Sequence, residues 1–176
     1  MLLKYKELCI RNAEENDAAL LTKWWNDGTV MAHAGFPNGL NTTVQKVRTQ
    51  LQSDSDETGR RLIIEKAQTP IGEMNYKNIG NHTAEIGIKI CDASMQERGY
   101  GKILLSIFLK ELFAMGYDVI VLDTDLNNKR AQHVYEELGF RKIRINPDAW
   151  TNQVGTLCSS VDYEMKRGEL NDFSLG

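Results

Sequence analysis

Gln96 to Lys102, read Q-E-R-G-Y-G-K, carry the most chemical content in this chain. They stand between a strand-like run, Glu85 to Ile90 (E-I-G-I-K-I), and an apolar helical pattern from about Lys102 to Met115. A glycine-rich turn that opens a helix leaves backbone N–H groups unpaired at the positive end of the helix dipole. Such groups bind an anion, for example a diphosphate. Gly99 and Gly101 allow a tight turn and a close approach of ligand to backbone. The turn is not a nucleotide-triphosphate loop: Ile103 follows Lys102 where a metal-binding Ser or Thr is required, and the G-x-x-x-x-G spacing is missing. Nor is it the dinucleotide fingerprint, because no third glycine follows the G-x-G pair. Taken alone, the turn fits an ordinary strand-to-helix connection equally well.

Other groups could do chemistry. Asn128, Ala131, Tyr135 and Leu138 recur at helical spacing and share or adjoin one face. A phenol there keeps its proton at neutral pH and can donate it, although periodicity by itself also fits a half-buried packing aromatic. Glu85 and Glu73 sit in strand-like runs. There is no G-x-S-x-G elbow, and Cys158 has no histidine near it in sequence. His33, His82 and His133 are scattered, which argues against metal ligation.

The elements that must position these groups read as follows. Leu8 to Arg11 is a first strand, and Glu14 to Asn26 a helix ended by Asp27-Gly28. Met31 to Leu40, with Gly35, Pro37 and Gly39, is a loop. Asn41 or Thr42 caps a second helix running to about Gln52, with Val44, Val47 and Leu51 as its apolar stripe. Arg61 to Glu65, Ile71 to Asn75 and Thr83 to Ile90 form an antiparallel meander. Helix (Lys102 to Met115), strand (Val119 to Asp123), helix (Asn128 to Leu138) and strand (Phe140 to Ile145) then alternate, with Gly116 and Gly139 as C-terminal caps. A strand, a crossover helix and a second strand imply one parallel pair. Pro147 to Gly155 is a loop and Leu157 to Met165 the last strand. One α/β domain over 1–168 is expected, followed by a tail of little structural content over 169–176.

Composition narrows the partners. The 176 residues are 41% hydrophobic and 26% charged, as in a water-soluble globular domain, with a net charge of −3. That balance argues against a nucleic-acid partner, which calls for a basic footprint. Cys9, Cys91 and Cys158 are widely spaced and odd in number, so they read as free thiols in a reducing compartment. The N-terminus lacks a signal-peptide core, and no apolar run reaches membrane-spanning length, so a cytoplasmic protein is expected.

The strand with Gln96-x-x-Gly99-x-Gly101, and the later run N-x-R-A-x-x-x-Y-E-x-x-G-F from Asn128 to Phe140, together resemble the GNAT acetyl-CoA-dependent N-acetyltransferases. The likeness is closest to the subgroup acting on protein N-termini, polyamines and small amines, and extends in element order from Leu8 to Lys166. It implies a mixed, centrally splayed sheet of about six to seven strands, flanked by about four helices. It also implies that the backbone of Gln96, Arg98, Gly99, Tyr100, Gly101 and Lys102 holds the cofactor diphosphate, with Arg98 and Lys102 either adding charge or simply solvated. The pantetheine arm would follow Ile88 to Ile90, and one backbone N–H near Ile88 would polarise the thioester, a donor of a kind worth roughly 3 kcal/mol. Gly87 fits a bulge, a close ligand approach or simple packing. By the same resemblance Asn128 binds the pantetheine amide and Tyr135 is the general acid for the departing thiolate. Glu85 is the candidate base, with Glu73 a weaker competitor. One of Trp24 and Trp25 is core, and the other walls the acceptor pocket with His33 and Phe36.

The reaction so implied is direct attack of a primary amine on acetyl-CoA, with no metal. Alternatives are a silent CoA-binding regulatory module or another acyl donor such as succinyl-CoA. Relatives often pair through their late strands, so a homodimer is an expectation. The acceptor is left unnamed.

Overall fold

A computed structural model describes all residues from Met1 to Gly176. Its frame is one eight-stranded sheet. The chain enters as a hairpin, β1 (Leu2–Tyr5) and β2 (Leu8–Asn12), turned at Lys6 with φ +52°. A 3-10 turn (Glu15–Asp17) leads into α1 (Ala18–Trp25), a single turn α2 (Gly28–Met31), a second 3-10 turn (Ala32–Ala34) and α3 (Val44–Gln52). The meander β3 (Gly59–Lys66), β4 (Thr69–Asn78) and β5 (Thr83–Ile90) follows. A third 3-10 turn (Ala93–Met95), α4 (Tyr100–Ala114), β6 (Val119–Asp125), α5 (Lys129–Leu138), β7 (Arg141–Thr151) and β8 (Leu157–Lys166) complete the chain. The spatial order is β1-β2-β3-β4-β5-β6-β8-β7, and only β5–β6 is parallel.

Strand alternation divides the core between the two faces. Leu62 and Ile64 face α4 and join Leu104, Phe108, Leu112, Leu138 and Tyr163 in the larger cluster. Ile63, between them, faces the other way and packs with Ala18, Leu21, Trp24, Val47 and Leu51 of α1 and α3. Leu104, Phe108 and Leu112 recur every four residues and none is exposed, which explains the nearly continuous apolar reading of α4.

Five local expectations need correction. The sheet has one strand more than expected, because β1 is an edge strand whose Leu2 is 63% exposed and whose four residues are too short to show periodicity. α2 occupies the start of what reads as loop: Asp27 accepts from the Thr29 N–H at 2.8 Å, so Asp27-Gly28 starts one helix just after ending another. The α3 cap is Thr43, not Asn41 or Thr42. Thr42 is already committed, since its N–H and C=O both pair with the Asn26 amide. Gly87 carries no bulge: the β4–β5 register is unbroken, and a Cβ there would meet the Asn75 Nδ2 at 2.8 Å. Finally, β7 continues through Pro147 to Thr151, with a register shift between Asn146 and Trp150. An edge strand tolerates proline at such an irregularity because the outer N–H has no partner to lose.

The residues after Gly168 form no helix or strand but are tied down. Asn171 donates its N–H to Leu138 O at 2.8 Å and its amide to Glu137 O at 3.0 Å. The Phe173 N–H donates to Ser106 Oγ at 3.0 Å, Lys110 pairs with Asp172 at 2.7 Å, and Leu170 packs on the larger core. Truncation after Gly168 should therefore remove about 2 kcal/mol of stability, lowering Tm by roughly 4–8 °C in a thermal melt. An unchanged Tm would show that these contacts contribute nothing.

Candidate active site

The parallel ladder between β5 and β6 lasts only three rungs: Thr83–Val119, Ala84–Ile120 and Glu85–Val121. Beyond them β5 stays with β4, while β6 follows β8 along its whole length, so the sheet splays open from Ile86 onward. The Cys91 N–H bonds back to Ile71 of β4 at 2.8 Å, so alternation turns the peptide groups of Ile90 and Ile88 toward the splay. The Ile90 carbonyl is taken there by Gln96 Nε2 at 2.9 Å. Gln96 thus anchors the loop to the strand rather than meeting a ligand with its side chain.

The loop itself is an anion cradle. No backbone N–H from Glu97 through Lys102 donates to an acceptor in the chain. Gly99, the residue before α4, has φ +78°, no side chain caps the helix, and its first turn holds no acid. A Cβ added at Gly99 or Gly101 would meet nothing within 4 Å, so the concave side is open. The nearby cations have partners. Arg98 donates to Ser94 O at 2.7 Å. Lys102 pairs with Glu137 at 3.0 Å and lies 4.9 Å from the Phe173 ring centroid, and Arg130 pairs with Glu97 at 2.8 Å. The positive potential of the cradle therefore comes from oriented amides more than from free side chains.

Across the splay stands α5. Asn128 caps it by accepting from the Ala131 N–H at 3.1 Å, which leaves its Nδ2 without a partner in the chain. Tyr135 is buried to 8% exposure between Phe140 (5.9 Å between ring centroids) and Tyr163 (5.8 Å). Its hydroxyl has no hydrogen-bond partner among the protein's groups, unlike the Tyr163 hydroxyl, which donates to Glu136 at 2.8 Å. Burial, and then the charge of Asp123, push the Tyr135 phenol up to about 12.

The opposite face of the sheet carries a polar cleft of about 480 Å³ beneath α1 and α3. Register aligns this face of the sheet in rows, Ile63–Glu73–Lys89, Arg61–Asn75–Gly87 and Gly59–Lys77–Glu85, of which Gly59, Arg61, Glu73, Asn75, Lys77 and Lys89 line the cleft. Glu73, at 5% exposure, accepts from Trp25 Nε1 at 2.9 and 3.0 Å and pairs with Lys89 at 2.9 Å. The Arg61 guanidinium lies over Trp25 and pairs with Asp54.

The expected acceptor residues therefore separate. Trp25 lines the cleft, while Trp24, one residue before it, is in the smaller core and outside the lining. His33 and Phe36 are exposed and lie outside the cleft lining, because their segment is drawn toward the β7–β8 hairpin. Glu85 is exposed at the last closed rung and also lies outside the lining. Lys89, Asn75 and Arg61 were not singled out from the sequence; the signal was the polar alternation Glu73-x-Asn75-x-Lys77 on a strand in the middle of the sheet.

Several solved structures share this architecture. Spermidine N-acetyltransferase from Vibrio cholerae, solved with CoA and spermine, aligns with a TM-score of 0.83 at 21% identity over 93% of this chain and 98% of that one. The ribosomal-protein alpha-N-acetyltransferase RimL, solved with coenzyme A, gives 0.83 at 16% identity over 94% and 98%. The putative acetyltransferase yncA from Salmonella typhimurium, solved with acetyl-CoA, gives 0.76 at 19% identity over 91% and 94%. At these identities the likeness establishes a common fold. The sequence model of the acetyltransferase (GNAT) domain matches residues 7–141, most of the chain and both strands that part at the splay, and the protein accordingly belongs to the GNAT acetyltransferase family.

Proposed function

We propose that the protein transfers an acetyl group from acetyl-CoA to a primary amine by direct attack in a ternary complex. The observation that carries this reading is the run of unclaimed N–H groups from Glu97 to Lys102, aimed at open space beside a splayed strand. It fits a diphosphate, and the CoA complexes of the structural relatives support the same ligand. The pantetheine arm pairs with the free peptide edge of Ile88 and meets Asn128 Nδ2. The thioester reaches the gap, where the Ile88 N–H faces its carbonyl.

The amine comes from the cleft. Alkyl ammonium ions titrate near 10, so the nucleophile must lose a proton to attack. The register favours Glu73 over Glu85 for receiving it: Glu73 lies one rung from Ile88 and lines the cleft, while Glu85 lies three residues back, about 10 Å along the strand. The new C–N bond forms, the C–S bond breaks, and the thiolate leaves toward Tyr135. A thiol titrates near 8.5, so full proton transfer from a phenol at about 12 is uphill by roughly 5 kcal/mol. Tyr135 therefore acts chiefly as a hydrogen-bond donor to the developing thiolate, and solvent completes its protonation. Cys91, the thiol nearest the site in sequence, is pushed up to about 12 by burial and by Glu73, which disfavours an acyl-enzyme.

Gly101→Asp adds an acid to a first turn that has none, which favours the helix by about 0.3–1 kcal/mol. Tm should hold or rise while acetyl-CoA affinity, read by calorimetry, falls at least about tenfold; unaltered affinity would remove the cradle from the site.

Tyr135→Phe loses no protein hydrogen bond, so stability should stay near wild type while kcat drops by about 10²–10³ with acetyl-CoA binding kept. In the same series Glu73→Gln should cost more at pH 6 than at pH 9, and Glu85→Gln should stay within about threefold. The wild-type rate should not decline from loss of the phenol proton below about pH 10, since Tyr135 holds that proton to about 12. Unchanged turnover in Tyr135→Phe would favour a CoA-binding regulatory module, and a dominant Glu85 effect would restore that residue as base.

The outer edge of β7 bonds to nothing, and Ile143 and Ile145 stand about half exposed on it, so two copies pair there. Light scattering should give twice the 20.0 kDa chain mass, reduced to one by Ile145→Lys; a monomeric wild type would exclude this interface.

A further inference from the structure

The Met31–Leu40 segment joins parts of the fold that the splay separates. Both ends of the segment, Met31 and Leu40, line the cleft, and the Leu40 N–H donates to Trp25 O at 2.7 Å. Between those ends, Gly35, Asn38 and Gly39 are gripped by the turn between β7 and β8, beyond β6. Gln153 does the gripping with three bonds, all at 2.9 Å. Its N–H donates to Gly35 O, its Oε1 accepts from the Asn38 N–H, and its Nε2 donates to Gly39 O. The Trp150 indole lies against Gly35, where a Cβ would stand 2.3 Å from the ring. The segment is thus anchored at its ends on the β4–β5 side and at its middle on the β7–β8 side, and so links the two sides that the splay separates.

We infer that Gln153 is a positioning residue for the acceptor: it fixes this segment as a roof over the opening and so sets the wall against which the amine is oriented. The inference rests on the acetyl-transfer reading above. Its physical basis is that one amide side chain satisfies a donor and an acceptor of the same loop at once, which no shorter or singly functional side chain can do. Gln153 touches neither the cradle nor α5, so its influence should fall on the acceptor and spare the cofactor.

The test compares wild type, Gln153→Ala and Gly35→Ala, the last displacing the roof from the opposite partner by driving a methyl group into Trp150. Acetyl-CoA affinity is read by calorimetry, and steady-state kinetics use spermidine, n-butylamine and a seryl N-terminal peptide. Hydrogen exchange is followed over residues 31–40 and 96–102. Both variants should raise the acceptor KM by about 5- to 20-fold, the loss of one or two hydrogen bonds. They should change acetyl-CoA affinity less than twofold and speed exchange in 31–40 alone. The double variant should be little worse than either single one, because both release the same segment. An unchanged acceptor KM in folded variants, or parallel loss of cofactor affinity, would overturn the role. A wild type silent toward all three amines would instead overturn the acetyl-transfer reading, and this inference with it.

Discussion

The rest of this structure depends on the early parting of β5 and β6. A parallel pair that ran on would close the sheet and leave no path between its faces. It closes for three rungs and then yields, because β6 is held along its whole length by antiparallel β8 while β5 is held by β4. Antiparallel pairing is slightly stronger per residue, so each strand keeps its better partner. The peptide groups of Ile88 are left facing a gap. On this half-buried residue they are left free to pair with an extended ligand laid along the strand. Gln96 quiets the neighbouring carbonyl of Ile90 and so ties the end of the gap to the start of the cradle.

The gap also separates the two groups of residues to which the proposed chemistry is assigned. The cradle, Asn128 and Tyr135 lie on the α4–α5 face, and Glu73, Trp25 and Lys89 lie under α1 and α3. An amine entering from one side and a thiolate leaving on the other fit a reacting carbon held in the opening. The two faces are electrostatically unlike. On the α5 side, burial keeps a neutral phenol protonated. On the cleft side, a buried carboxylate is held by an indole N–H and an ammonium group.

The cradle and α5 were legible because their signals are local. A glycine with φ +78° before an apolar helix, and Asn128 capping a helix in which Tyr135 follows two turns later, need only neighbours in sequence. The meander, the parallel pair and the buried face of α4 were legible for the same reason. The missed or shortened elements lacked such signals: β1 is four residues at an edge, α2 is one turn, and β7 runs through a proline. Of the Trp24–Trp25 pair, one expected in the core and one at the acceptor pocket, one helix position turns Trp24 into the core and leaves Trp25 on the cleft. His33 and Phe36 lie outside the cleft lining, because the middle of their loop is held by Gln153.

Residue order alone determined which backbone groups would go unpaired at the helix start and that Asn128 and Tyr135 would stand two turns apart on one helix, because both follow from 3.6-residue and glycine geometry. Tertiary structure decided what lies across from them. Glu73 lines the cleft while Glu85 does not through strand register, and the carboxy-terminal residues are held only through their contacts with α4 and α5. The Met31–Leu40 loop becomes a roof only because a hairpin more than a hundred residues later reaches it, at a sequence separation of 114. Contacts of that range arise from how the layers stack, and no local pattern encodes them.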